Sequence, residues 1–190
     1  MLHEVIAAGF GGQGVMVIGQ LLAYAGLEEG LNVSWYPAYG PEMRGGTANC
    51  TVVLSDAEVA SPVVSRPSAV LAMNGPSLER FGPRAREGGL ILFNSSLIAH
   101  PPPYSHARSF GLPVNEIALE LGEPRVANMV MLGAFLGFTG AVSLASAVKA
   151  LQKVLPARRH HLIPLNEEAL RRGERAALAL LEDRRCANEG

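Results

Sequence analysis

The sequence predicts an α/β fold, with a mainly parallel sheet flanked by helices and a helical C-terminal third. Three observations carry that prediction. Residues Val5-Ile6-Ala7-Ala8 form a short unbroken apolar run, the pattern of a strand buried on both faces. A glycine cluster follows and opens into a segment from Val15 to Glu29, where Val15, Ile18, Leu22 and Ala25 recur at helical spacing. From Val114 onward the pattern is helical almost throughout.

Taken in order, the first strand spans residues 3–8 and leads through the glycines into the first helix. Gly30 stands where a helix C-cap belongs. Leu31 to Tyr36 reads as a second strand, so the first 36 residues spell one strand–helix–strand unit of Rossmann-like character. Pro37 to Gly46 is rich in proline and glycine and reads as a loop. Thr47 to Ser55 is a third strand and Ser68 to Met73 a fourth. Asn74-Gly75-Pro76 is a strong turn signal that opens a short helix at Ser77 to Phe81. Gly89 to Phe93 gives a fifth strand, and His106 to Phe110 a weaker edge strand beyond the extended Pro101-Pro102-Pro103. Helices are predicted at 114–121, 127–138, 143–155 and from 166 to about 183, the last capped by Asn166 with Glu167 and Glu168 behind it. No linker or internal repeat divides the chain, so residues 1–190 read as a single domain. An open crevice is expected at the carboxyl ends of the strands.

Composition narrows the functional classes. The chain has 190 residues, 48% hydrophobic and 17% charged, with a net charge of −1, which argues for a large core and against disorder. Lys and Arg form no long block, so nucleic acid is not an expected partner. The densest basic patch, Ala157-Arg158-Arg159-His160-His161, reads as a solvated face. Two distant cysteines, Cys50 and Cys186, are too few for an iron–sulfur cluster and build no disulfide framework. Met1-Leu2-His3-Glu4 runs straight into a strand, which predicts no leader and a cytoplasmic compartment. The uncharged stretch between Arg125 and Lys149 is long enough to span a membrane. Thr139-Gly140 reads as a helix stop within it and Ser143 as a new N-cap, so two packed helices are expected.

Gly9-Phe10-Gly11-Gly12-Gln13-Gly14 matches G-x-G-x-x-G between a strand and a helix, the context that gives the motif weight. Bare backbone turns tightly there, and the free N–H groups that open a helix favour an anion such as phosphate. A nicotinamide site needs a carboxylate at the end of the second strand, where this chain has Ser34-Trp35-Tyr36-Pro37. Two alternatives stay open: a phosphate-bearing ligand other than NAD, or glycines that only let helix pack on strand. The loop from Tyr36 to Thr47 then offers Tyr39, Glu42, Met43 and Arg44 on a stiff backbone. The planar guanidinium of Arg44 suits phosphate or carboxylate, and Glu42 is its potential ion-pair partner. Asn74 and Asn94 end central strands at the expected crevice, where a turn signal alone also explains them. Met129 and Met131 read as core and Asn128 as a cap or buried hydrogen-bonder. Cys50 reads as a small buried hydrophobe. His160 and His161 make no metal site, since sequence neighbours point apart and no third ligand is spaced to join them.

At this point the sequence resembles a known family. The glycine turn, followed at this spacing by Tyr39-Gly40-Pro41-Glu42-Met43-Arg44-Gly45-Gly46, is similar to the gamma subunit of the 2-oxoacid:ferredoxin oxidoreductases. Thr47-Ala48-Asn49-Cys50, Ala127-Asn128-Met129-Val130-Met131-Leu132-Gly133-Ala134 and Asn166-Glu167-Glu168-Ala169-Leu170 with Gly173 fit as well. The likeness covers nearly the whole chain, as one pyruvate/ketoisovalerate-oxidoreductase-type domain. The loop looks closest to the 2-oxoglutarate enzyme; pyruvate, branched-chain 2-oxoacid and indolepyruvate enzymes are the alternatives. The resemblance implies a multi-subunit enzyme that decarboxylates a 2-oxoacid, forms an acyl-CoA and passes electrons to ferredoxin. It places thiamine diphosphate between alpha and beta subunits, and iron–sulfur clusters on beta and a small delta subunit. This chain shows no thiamine signature, cysteine cluster or recognisable acid–base pair, so no catalytic or metal-ligating residue is expected on it. Coenzyme A is the candidate ligand. Gly9, Gly11, Gly12, Gln13, Gly14, Tyr39, Glu42, Arg44 and Asn74 are the candidate binding residues. A free-standing nucleotide-dependent dehydrogenase and a pure scaffold are the competing functions.

Overall fold

The structure, a computed structural model, describes residues 1–39 and 47–189. Its centre is a six-stranded sheet of β1 (Leu2–Phe10), β2 (Asn32–Tyr39), β3 (Thr47–Ser55), β4 (Ala69–Ala72), β5 (Leu90–Asn94) and β6 (Arg108–Leu112), in the order β2-β3-β1-β4-β5-β6. β1, β4, β5 and β6 pair in parallel, as the continuous apolar runs predict. β3 departs from the expectation. It runs antiparallel to both β1 and β2 and separates them. A strand joined to its neighbour by a short connection must return antiparallel, whereas a parallel return needs a long crossover. The first strand–helix–strand unit therefore straddles a third strand instead of forming a neighbouring pair.

Pro37, Ala38 and Tyr39 also correct the loop boundary, because they continue β2, with Pro37 opposite Cys50. β2 is a sheet edge, the one place where a residue without an N–H fits a ladder at little cost.

Helices cover the two faces unequally. α1 (Val15–Glu28), α3 (Val114–Glu120), α4 (Ala127–Thr139), α5 (Leu144–Val154) and α6 (Ile163–Glu189) bury the larger core on one face. The short α2 (Gly75–Phe81) covers the other, over Ile6, Ala8, Val70, Ile91 and Phe93. α4 explains the uncharged stretch: every residue from Ala127 to Leu136 is buried, and all of them but Asn128 are apolar or glycine. Met129 and Met131 belong to that core. Gly140 ends α4 at φ 58, and the Ser143 Oγ caps α5 by accepting from the Ser146 N–H. No helix among the described residues is long and apolar enough to cross a membrane.

The Asn166 cap is a third correction. α6 begins three residues earlier, from a 3₁₀ turn at Ala157–Leu162, with Pro164 in its first turn, where a missing N–H costs nothing. Asn166 lies inside the helix and donates from Nδ2 to the Leu162 carbonyl at 2.7 Å. Glu167 and Glu168 therefore fall in the second turn, and the first turn of α6 has no acidic residue.

α4 and α6 cross in direct backbone contact. A Cβ on Gly133 would overlap the Leu170 carbonyl oxygen, and a Cβ on Gly173 would overlap that of Val130. On the sheet side, Gly19 of α1 leaves room for Cys50 and Trp35. Burial pushes the Cys50 thiol up to about 11, and its Sγ donates to the Val15 carbonyl at 3.3 Å.

This packing leads to two expected outcomes. Gly133→Ala or Gly173→Ala should lower stability by about 1–3 kcal/mol or more, the usual cost of overpacking, measured by denaturant unfolding. Because the raised Cys50 pKa keeps that thiol protonated until well above neutral, a thiol reagent at about pH 8 should label Cys186, the exposed cysteine, rapidly and Cys50 only after unfolding.

Candidate functional site

The glycine turn sits between β1 and α1 at the carboxyl end of the sheet, where the crevice is expected. Its glycines divide by physical role. Gly12 (φ 97) and Gly14 (φ 75) hold left-handed backbone that other residues rarely adopt. Gly9 is sterically confined, since a Cβ there would stand 2.8 Å from the Gln13 Oε1 and 3.0 Å from Val15 and Met73. Gly11 opens on free space. Close packing and an accessible backbone are thus both present in one motif. No side chain caps the start of α1, so its first N–H groups have no side-chain partner at the N-cap.

Gln13 holds this turn in place. Its Oε1 accepts from the Phe10 N–H and from the Asn74 Nδ2, both at 2.8 Å, and its Nε2 donates to the Met73 carbonyl at 3.2 Å. Asn74, only 3% exposed, accepts from the Ser77 N–H at 2.9 Å and so caps α2. Asn94 is fully buried and donates to the same Met73 carbonyl at 3.3 Å and to Asn115 Oδ1 at 3.1 Å. A rail of carboxamides therefore crosses the ends of β1, β4 and β5. Gln13 and Asn74 spend their polar groups on it, which makes them supports of the turn.

Tyr39 ends β2 with 72% of its surface exposed, in the row of the sheet that holds Ala48 and Gly9. Glu42 and Arg44 lie outside the described residues.

The structure also assembles a cleft that no sequence motif announces. About 300 Å³ of space opens between Gly12, Gly14 and Val17 on one side and Glu123, Arg125, Val126, Asn128 and Met129 on another. Leu155, Arg159, Leu162, Leu165 and Asn166 close the third side. Asn128 ties α4 to the glycine turn by donating from Nδ2 to the Gly14 carbonyl at 3.2 Å, while its Oδ1 accepts from the Met129 N–H at 3.0 Å. A Cβ on Gly14 would overlap that amide. Arg125 grips Glu123 through Nε at 2.9 Å and Nη2 at 2.8 Å. These hydrogen bonds hold the Glu123 carboxyl down at about 2, so its charge is matched within the pair. Arg159 is exposed, with no carboxylate partner among the described residues. The basic patch around Arg159 is a solvated face, as its composition indicates, but one of its guanidinium-bearing residues also lines the cleft. The available signal was the absence of Asp or Glu from the first turns of α1 and α4; for α6 the structure alone reveals it, because the helix starts at Ile163 and leaves Glu167 and Glu168 in the second turn.

Comparison with known proteins places this arrangement. Residues 4–176 match the family model described as pyruvate ferredoxin/flavodoxin oxidoreductase. The ketoisovalerate oxidoreductase subunit VorA of Methanothermobacter marburgensis is 49% identical over 139 residues, 72% of this chain and 29% of that protein. The chain thus spans less than a third of that relative. The 2-oxoglutarate synthase subunit KorC of Methanothermobacter thermautotrophicus is 36% identical over 160 residues, 80% of this chain and 85% of that protein. Among solved structures, the gamma subunit of a keto/oxoacid ferredoxin oxidoreductase from Geobacter sulfurreducens superposes with a TM-score of 0.80 at 31% identity, covering 93% of this chain and 99% of that one. The chain therefore belongs to the pyruvate ferredoxin/flavodoxin oxidoreductase family, alongside the gamma subunits of 2-oxoacid:ferredoxin oxidoreductases.

Proposed function

We propose that this chain is the gamma component of a multi-subunit 2-oxoacid:ferredoxin oxidoreductase and that it holds coenzyme A for chemistry housed in other chains. The observation that carries this is the anion-ready glycine turn, in a chain of which 80% aligns with 85% of a KorC relative. No acid–base pair of recognisable spacing accompanies it. The backbone N–H groups that open α1 and the guanidinium of Arg44 supply the positive charge that phosphates need. Thiamine diphosphate and the iron–sulfur clusters belong on alpha, beta and delta partners, with ferredoxin taking the electrons. The work of this chain is to bind and orient the acceptor of the acyl group.

The substrate we assign is 2-oxoglutarate, from the wording of the 39–46 loop and the KorC relatives. A branched-chain 2-oxoacid is the second reading, favoured by the higher identity to VorA.

The test uses the assembled complex, with ferredoxin reduction followed on 2-oxoglutarate, 3-methyl-2-oxobutanoate and pyruvate in the presence of coenzyme A. Arg44→Ala should raise the KM for coenzyme A by about tenfold, the worth of one hydrogen bond to a charged group, with kcat nearly unchanged. An unchanged KM would remove coenzyme A from Arg44. Turnover of a 2-oxoacid or a pyridine nucleotide by the isolated chain would overturn the whole proposal.

A further inference from the structure

The two edges of the sheet are finished differently. β6 spans only five residues, opens on Arg108, and has the Arg184 guanidinium 4.3 Å from the centre of the Phe110 ring. Short length and charge are the usual guards against pairing with a foreign strand. β2 lacks both. It runs eight residues from Asn32 to Tyr39 without an acidic or basic side chain, and no bulge interrupts its register against β3. Pro37 is its one guard. Tyr36 and Tyr39 stand 53% and 72% exposed on this strand, beside a partly buried Trp35.

Which backbone groups face outward follows from β1. The Ala8 carbonyl accepts from the Met73 N–H and so faces β4, which turns the alternate residue Ala7 towards its β3 partner Cys50. Cys50 is therefore turned to β1 and away from β2, and its β2 partner Pro37 faces out. Val33, Trp35 and Tyr39 share that phase. The N–H groups of these three residues, and the carbonyls of all four, point away from the sheet, where no further strand reaches them.

We propose that this edge pairs with the same edge of a second copy of the chain, antiparallel about a twofold axis at Tyr36, so that two sheets join into one. The occupant is a second copy because the strand is its own complement. Any charge on a self-pairing strand is repeated close to the axis, and β2 carries none to repel its copy. Centred on Tyr36, Val33 meets Tyr39 of the second copy and Trp35 meets Pro37 of the second copy. Every outward N–H then finds a carbonyl, giving about six backbone hydrogen bonds across the axis. A shift of register either way leaves fewer of them paired within β2. The missing N–H of Pro37 falls opposite Trp35, where its ring gives the indole a surface to pack on. The exposed parts of Tyr36 and Tyr39 on two copies amount to about 500 Å², roughly half of what a specific interface needs. Strand backbone, Trp35 and Pro37 supply the rest. A twofold pairing uses up the unguarded edge and closes, so it gives a weak dimer and no larger assembly. The pairing requires none of the glycine-turn residues and is independent of the coenzyme reading.

The experiment is sedimentation equilibrium of the purified full chain from about 1 to 200 μM, which should show a reversible dimer with a Kd on the order of 10 μM. Tyr36→Lys, which sets two cations face to face on the axis, should weaken it by about tenfold or more. A second reading does not depend on lysine being tolerated in the strand. In a Cys186→Ser background, Tyr36→Cys should form an intermolecular disulfide on air oxidation, and Tyr24→Cys, 46% exposed on α1, should not. A chain that stays monomeric at every concentration, a dimer as tight in Tyr36→Lys as in the wild type, or absent or equal trapping in the two cysteine variants would overturn the pairing. Protection of β2 amides that arises only in the assembled complex, with the chain alone monomeric, would give the edge to a strand of another subunit and overturn the second copy as its occupant.

Discussion

One amide side chain fixes where the bare backbone of this protein can act. Gln13 uses its oxygen twice and its nitrogen once, and through them it locks the glycine turn to Phe10, to Asn74 and to the end of β4. A turn built from four glycines is entropically costly to order, because each glycine has more backbone freedom to lose than any other residue. Hydrogen bonds from both ends of the amide offset that cost and leave the turn in one shape. The placement of α1 depends on that shape, since it decides where the helix starts and which way its first N–H groups face.

The same turn is fixed from its far side by Asn128, so the start of α4 is placed relative to the start of α1. α4 in turn is pressed onto α6 at a crossing where Gly133 and Gly173 permit backbone contact. Three helix starts are thereby held at one cleft by two carboxamides and two glycines. Large apolar cores make helices cohere but do not by themselves decide which ends meet. Here the small residues and the buried amides make that decision, and the electrostatic character of the cleft comes from it.

Much of this fold was legible in the sequence. Val5-Ile6-Ala7-Ala8 and the other apolar runs place the parallel strands, Gly140 and Ser143 mark a stop and a start that the structure retains, and Met129, Met131 and Cys50 are buried as their types suggest. The position of β3 was not legible, because a strand's own pattern reports its burial but not its direction or its neighbours. β3 is buried on much of its length, like its parallel neighbours, and only the short connection from β2 hints at its reversal. Asn166 misled for a related reason: a cap residue and a residue in the first turns of a helix look alike when a 3₁₀ turn precedes them. The cleft was illegible because Gly14, Arg125 and Arg159 are far apart in the chain and come together only when three helices pack. The glycine turn itself was legible, with Gly12 and Gly14 at the positive φ that its motif demands.

The central claim is that the N–H groups from Gly11 to Val17 form a ready anion seat held by Gln13. Amide hydrogen exchange across residues 11–17 of the purified chain, with and without coenzyme A, tests it most directly. The account predicts slowed exchange in this segment on adding coenzyme A, and loss of that effect in Gln13→Ala while the helix α4 amides stay protected. Exchange in this segment that is indifferent to coenzyme A would contradict it and leave the glycines with packing as their only role.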